Sequence, residues 1–313
     1  MRLEYQIIAA LILDFAFGDP RWLPHPVRLI GNLALFCEKL WRRAIKNEYL
    51  AGFCTTISVL AATWLATTAF LHVAAQIHPY AESICSIFII YTGIAVTDLA
   101  KHAKAVYRAL EKKDLQLARE RVSMIVGRET SVLDEEGVAK AAVESVAESI
   151  VDGVTAPLFF AFLAGPTGII VYKAVNTMDS TFGYKNEQYK KFGWIPAKID
   201  DVANFIPARI TGLLVVAATF LAGMDYRNSW KIFRRDRLNH SSPNAAHTEA
   251  GVAGALGVQL GGSNIYFGKV VEKPTIGDPA RTIAASHIIQ TNKLLYLTTL
   301  LAIAIGFTLH GLI

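Results

Sequence analysis

Hydrophobic positions cluster into runs too long and too clean for the half-buried helices of a soluble core. Residues 51–77 contain no formally charged side chain, and residues 294–313 contain none either. Residues 153–172 are equally free of charge but are punctuated by Pro157, Gly165, Pro166 and Gly168. A helix needs roughly 20 mostly apolar residues to cross a hydrocarbon core, and each of these runs is long enough. Shorter candidates occupy residues 6–18, 83–97 and 210–224. The pattern predicts four to six membrane helices, with residues 153–172 broken and either crossing or re-entrant, because irregular backbone is tolerated at membrane depth when protein covers it. Asp14 inside the first candidate, with only Arg2 before it, argues against a cleaved signal peptide.

Between these runs the periodicity changes. Leu99, Ala103, Val106 and Leu110 form one helical stripe, with Lys101, Lys104, Arg108 and Lys112 largely off it. Asp114 is placed to cap a second helix carrying Leu115, Ala118, Val122 and Ile125. Such a pair suits the membrane surface, its cations near anionic lipid. No strand-like alternation, internal repeat or low-complexity tract stands out. The expected fold is all-α: a polytopic integral membrane protein with amphipathic interfacial helices, forming a single membrane-embedded domain over residues 1–313.

Composition strengthens this reading. Hydrophobic residues make up 53% of the 313 positions and charged ones 18%, and the mean hydropathy is +0.35. The net charge of +5 is spread over connecting segments without an aromatic-rich basic stripe, so nucleic acid is not an expected partner. Residues 78–82 lack Lys and Arg while residues 19–50 and 98–152 are rich in them, which places 78–82 outside and its neighbours in the cytoplasm. A multi-pass protein of the cell membrane is expected. Cys37, Cys54 and Cys85 have neither metal nor disulfide spacing and read as packing residues.

Four polar constellations stand out against this background. In "GRETSVLDEEGVAKAAVESVAESIVDG", Ser131 with Asp134 offers a capping box. Val143, Val146, Ala147, Ile150 and Val154 then cover one helical face, opposite Glu144, Glu148 and Asp152. Like charges four apart cost an isolated helix only roughly 0.2–0.5 kcal/mol per pair, so a solvated acidic face explains them; a wall binding a hard cation such as Mg²⁺ explains them too. In "VYKAVNTMDSTFGYKNEQYKKFG", Lys173, Asn176, Asp179 and Lys185 follow an apolar run, and Asp200, Asp201 and Arg209 come just before another. Carboxylates this close to hydrocarbon mark a polar cavity or interfacial ion pairs. In "GDPRWLPHPVRLIGN", Pro24 and Pro26 hold the backbone around His25, either to aim an imidazole or simply to make a turn, and Arg28 lies just beyond. Finally, "LNHSSPNAAHTEAGVAGALGVQLGGSNIYFG" gathers His240, Ser242 and Asn244 before a glycine-rich run, which suits close helix packing or a backbone-lined anion pocket. No P-loop occurs.

Taken together and in this order, these blocks resemble the adenosylcobinamide-phosphate synthase family of cobalamin biosynthesis, the CbiB/CobD family, over roughly residues 10–270. Two departures are visible: Glu129 where the family usually has Asp, and Ala246-His247 where it usually has Gly-Trp. The resemblance implies an amide ligase joining the corrinoid adenosylcobyric acid to aminopropanol or its phosphate, with ATP as co-substrate and Mg²⁺ as cofactor. A carboxylate must be activated before an amine can attack it, so such a site needs metal and anion contacts. On this reading Glu144, Glu148, Asp152, Asp179, Asp200 and Asp201 bind or orient metal. Arg28, Arg128, Lys173, Lys185 and Arg209 bind anions, Asn176, Ser242 and Asn244 supply neutral hydrogen bonds, and His25 or His240 accepts the amine proton. The catalytic set is thus His25, Glu144, Glu148, Asp179 and His240. The family reading leaves the amino alcohol and the oligomeric state open.

Two other classes use similar residues. Asn176-x-x-Asp179 and the Asp200–Asp201 pair faintly resemble aspartate-rich intramembrane prenyltransferases, although two complete motifs are lacking. A membrane transporter or sensor of an anionic metabolite would bury the same charges, but it predicts inverted repeats that the chain does not display.

Overall fold

The computed structural model describes every residue except Arg21, Leu23, Lys185, Phe267, Leu312 and Ile313, along with all side chains but those of Pro79 and Tyr266 among the rest. Helices dominate. In chain order the first four are α1 (Leu3–Phe17), α2 (Pro26–Ala44), α3 (Glu48–Ile77) and α4 (Pro79–Gly93). Next come α5 (Val96–Glu111), α6 (Leu115–Ser123) and α7 (Glu135–Ile150), then a π-helical turn at Val151–Thr155 and α8 (Ala156–Phe182). The chain continues through α9 (Trp194–Ala203), α10 (Phe205–Leu221), α11 (Tyr226–Asp236) and α12 (Ala246–Leu256). A hairpin of β1 (Leu260–Tyr266) and β2 (Lys269–Ile276) precedes α13 (Ala285–His310).

The protein is a polytopic helical membrane protein. Among the described residues, four helical stretches have the length and apolar character to cross a bilayer: Glu48–Ile77, Tyr80–Glu111, Glu135–Phe182 and Ala285–His310. Trp194–Ala203 with Phe205–Leu221 adds a fifth if the two form one span. Asn47 starts α3, its side chain accepting the Leu50 N–H at 3.1 Å. At 1.5 Å per residue the 30 residues of α3 reach about 45 Å, beyond the ~30 Å hydrocarbon thickness. Phe53, Trp64, Leu65 and Phe70 face outward from it, a surface that matches lipid better than water.

Two compact units share the chain. One comprises Met1–Ala95, Ala156–Asn204 and Gly306–Ile313; the other comprises Val96–Thr155 and Phe205–Ile305.

In the first unit, α3 packs against α2, α4 and α8. Helix α8 breaks where the sequence expects it: Gly165 adopts φ +63° and Pro166 follows, so the backbone turns at a residue that needs no Cβ and then at one with no N–H to give. Lys173, Asn176 and Asp179 do not lie in a loop beyond this segment. They extend α8 by ten more residues, to Phe182. The loop that follows is tied down by Arg42, whose guanidinium bonds Glu38 Oε1 at 2.9 Å and the Gln188 carbonyl at 2.8 Å and lies 4.2 Å from the centre of the Phe192 ring. Gly52 on α3 lets the Phe192 carbonyl approach so closely that a Cβ would collide with it.

In the second unit, the expected stripe on α5 is buried at Ala103, Val106 and Leu110, and Lys101, Lys104, Arg108 and Lys112 are exposed. Asp114 caps α6 through the Leu117 N–H at 3.0 Å. Val143, Val146, Ala147, Ile150 and Val154 are buried, as the periodicity predicts. Two local expectations are corrected. The cap of α7 is Asp134 itself, accepting the Gly137 N–H at 2.8 Å, and not Ser131: the helix begins three residues later than a box opened at Ser131 requires. The strands are the second correction. β1 and β2 pair antiparallel, with Gly262 opposite Lys273 and a register irregularity between Leu260 and Gly262. A chain with Gly261 and Gly262 in one strand and Pro274 in the other has no clean alternation to read. Helix α12 is buried along its whole length; at Gly254 a Cβ would sit 2.7 Å from the Ser229 Cα of α11, so the glycine-rich run does serve close helix packing. Gly257, at φ +68°, then ends the helix.

Candidate active site

The second unit contains a cavity of about 120 Å³ lined by Arg128, Glu144, Ser145, Glu148, His240, Glu249, Gly261 and Lys273, with Ile125, Val126 and Gly127 completing the wall. Helix α7 supplies Glu144 and Glu148 one turn apart, because the opposite face of α7 is its buried apolar stripe. Arg128, on the loop before α7, bonds Glu144 Oε2 and the Asn264 side chain of β1. The Gly261 N–H donates to Glu144 Oε1 at 2.6 Å, and the Glu129 N–H donates to the Ile265 carbonyl at 2.9 Å. A lone two-stranded hairpin is marginal in water; here these bonds anchor it to α7 and its preceding loop, which brings Lys273 to the cavity. At the hairpin's other end, Asp236 accepts the Gly277 N–H at 2.8 Å.

The electrostatics are unbalanced. Glu144 is engaged by Arg128 and a backbone amide, and the buried Glu249 lies within electrostatic reach of Glu148, Glu144, Lys273 and Arg128. Burial, reinforced by the Glu148 and Glu144 carboxylates, raises the proton affinity of Glu249 well above the ordinary range. A cavity that gathers three carboxylates, Glu144, Glu148 and Glu249, around Arg128 and Lys273 favours uptake of a cation or a proton.

His240 enters this cavity as a donor. Its Nδ1 accepts the Ser242 N–H at 3.0 Å, so the neutral ring carries its proton on Nε2. The same logic applies in the first unit to His25, which caps α2 by accepting the Val27 N–H on Nδ1 at 3.3 Å. Its Nε2 lies 3.7 Å from Asp19 Oδ2. Pro24 and Pro26 therefore frame a helix start, with Pro26 as the first helical residue.

The remaining sequence candidates fall elsewhere. Asp152 sits in the π-helical turn, whose wider i→i+5 winding breaks the four-residue repeat, and it does not line the cavity. Within the second unit, Arg209 donates to Asn244 Oδ1 at 3.3 Å, and Ser242 Oγ accepts the Asn244 N–H at 3.3 Å. In the first unit, Lys173 and Asn176 neighbour Asp200, whose Oδ2 accepts from Asn204 at 2.9 Å; Tyr172 donates to the same Asn204 at 2.9 Å. Asp201 instead pairs with Lys198 at 2.7 Å. Asp179 accepts the Gly183 N–H through its carbonyl at 2.6 Å, near the end of α8, and Arg28 is exposed on α2. Lys185 lies outside the described residues. Sequence reasoning missed Glu249 and Lys273: Glu249 is the one formally charged residue of α12, the signal that could have found it, whereas Lys273 depends on an unrecognised strand.

No three His, Cys, Asp or Glu side chains among the described residues converge closely enough to hold a metal unaided. Magnesium commonly binds through one or two carboxylates together with substrate phosphates, and Glu148 with Glu249 fits that smaller requirement.

The fold and this acidic, lysine-bearing cavity define a helical membrane protein with a polar site built for charged ligands. The family model described as CobD/Cbib protein matches residues 7–295, and the chain belongs to that family. It is 46% identical over 306 residues to a cobalamin biosynthesis protein CobD of Clostridium perfringens, covering 97% of each chain. It is 48% identical over 290 residues to the protein of that name from Geobacter metallireducens, covering 93% of this chain and 91% of the relative. A Leptospira interrogans relative of the same name is 44% identical over 299 residues, with 96% and 95% coverage. No solved structure matches the chain.

Proposed function

We propose that this protein is a cobalamin-biosynthesis enzyme of the cell membrane that joins adenosylcobyric acid to aminopropanol or its phosphate, with hydrolysis of ATP. The observation that carries the reading is the cavity of Arg128, Glu144, Glu148, His240, Glu249 and Lys273, in a chain of the CobD/Cbib family. Amide formation from a free carboxylate requires activation of the acid, most simply by transfer of the terminal phosphoryl group of ATP to the acid oxygen, releasing ADP. The amine nitrogen then attacks the acyl carbon, the C–O bond to phosphate breaks, and a proton leaves nitrogen.

In this reading Glu148 and Glu249 would hold Mg²⁺ jointly with the nucleotide phosphates, and the ion would offset phosphate charge. Lys273 and the Nε2–H of His240 would steady phosphate oxygens. Arg128 is a positioning residue, fixing Glu144 and the hairpin. His240, whose Nδ1 already accepts the Ser242 N–H, is placed to donate rather than to take the amine proton.

The test is incubation of detergent-purified protein with adenosylcobyric acid, aminopropanol or its phosphate, ATP and Mg²⁺, followed by mass spectrometry. An amide product and ADP are expected, and Glu249→Gln should lower turnover by about a hundredfold or more. No product with verified substrates would overturn the ligase reading, and turnover unchanged in Glu249→Gln would remove that residue from the reaction.

A further inference from the structure

The start of α12 presents two chemically different faces. Glu249 faces the cavity described above; His247, two residues earlier and about 200° away around the helix at ~100° per residue, is neighboured by Arg209 and Arg237. Arg237 and His247 both lie against the Phe233 ring, at 5.8 and 6.2 Å from its centre, and Arg209 donates to the side chain of Asn244, whose carbonyl accepts the His247 N–H at 3.2 Å. Two guanidiniums so placed would ordinarily be reconciled by a carboxylate. Among the described residues neither has an ion-pair partner. They are instead held in place: Arg209 stacks 3.4 Å from the centre of the Phe205 ring and donates to the Phe205 carbonyl at 2.6 Å, while Arg237 lies 5.8 Å from the centre of the Phe233 ring and donates to the Arg234 carbonyl at 3.0 Å.

Two further observations point the same way. The α12 N-terminus has no side-chain cap, and the acidic residue of its first turn, Glu249, lines the other cavity. His247 is only 2% exposed, and its Nδ1 has no hydrogen-bond partner among the described residues. A buried polar atom without a partner costs on the order of 1–3 kcal/mol, a cost that a ligand accepting from or donating to it would relieve.

We propose that Arg209, Arg237, His247 and the N-terminus of α12 form a binding site for a phosphate group, distinct from the Glu148–Glu249 cavity. A planar guanidinium held by an aromatic face presents paired N–H donors to phosphate oxygens at little entropic cost. The helix amides and the imidazole supply the remaining donors. Carboxylate side chains near Arg209 and Arg237 would have filled this role permanently; leaving it open suits an anion that comes and goes. The phosphate has two possible sources, a soluble phosphomonoester or the headgroup of an anionic lipid, which share this chemistry. In the ligase reading the soluble source is an aminopropanol phosphate. That identity rests on the proposed function, but the existence of the site does not.

The experiment is calorimetric titration of the full chain in non-ionic detergent, without corrinoid or ATP, using inorganic phosphate in one arm and phosphatidic acid against phosphatidylcholine in mixed micelles in the other. Saturable binding of phosphate, weakened at least tenfold by Arg237→Gln and less by Arg237→Lys, is expected for a soluble ligand. Binding of phosphatidic acid alone, with the same dependence on Arg237, supports the site with a lipid headgroup as its occupant. Affinity for both probes unchanged in Arg237→Gln and in Arg209→Gln would overturn the site. Amide formation is measured separately, so absence of that activity in the unmodified protein with phosphate binding intact counts against the ligase reading and leaves the phosphate site standing.

Discussion

At the scale of single residues, His247 shows how burial converts an ordinary side chain into a pH-dependent element. Desolvation first, and then the Arg209 and Arg237 charges, lower its pKa from 6.5 to about 4. Between those values the unfolded chain binds a proton that the folded protein refuses. Stability on this account is complete above pH 6.5 and is lost progressively as the pH falls to about 4. His247→Gln should therefore flatten the decline of the unfolding midpoint between pH 6.5 and 4 in detergent; an unaltered acid limb would show that the residue does not govern it. Glu249 shifts the opposite way for the same reason of burial, so the two faces of one helical turn exclude charge of either sign until a ligand supplies its counterpart.

At the scale of elements, several features were legible before any coordinates. The apolar faces of α5 and α7 follow from period alone, as does the Asp114 cap, because a local hydrogen bond needs only neighbours in sequence. The α8 break is legible because Gly165 and Pro166 restrict the backbone wherever they fall. The hairpin was not legible: it is stabilised by Arg128–Asn264 and Glu144–Gly261, contacts spanning 136 and 117 residues, and its own residues have weak strand character. Gly52 is another such case, a glycine whose necessity appears only when Phe192 is placed against it. Gly52→Ala should lower stability by about 1–3 kcal/mol, the usual cost of forcing extra volume into a packed contact, measured by denaturant unfolding in detergent. A smaller change would mean that α3 and the Phe192 loop separate easily.

At the scale of the whole molecule, the chain passes four times between its two units, at residues 95/96, 155/156, 204/205 and 305/306. Neither unit is a contiguous stretch of sequence, which is why composition gave no boundary. The outward Phe53, Trp64, Leu65 and Phe70 of α3 are expected to keep the protein in the membrane pellet after an alkaline carbonate wash and to release it only with detergent. Recovery in the aqueous supernatant would contradict the spans.

What the sequence determined by itself was the class of fold and its family: long uncharged runs need hydrocarbon whatever their neighbours, and ordered polar blocks keep their identity without coordinates. It also singled out Arg128, Glu144, Glu148 and His240. Only the tertiary structure decided that these four share a cavity with Glu249 and Lys273, that both candidate histidines present a protonated Nε2, and that Arg209 and Arg237 face a buried imidazole. Those outcomes depend on distances between residues remote along the chain and on which side of a helix is closed to water, and neither quantity is carried by a local pattern.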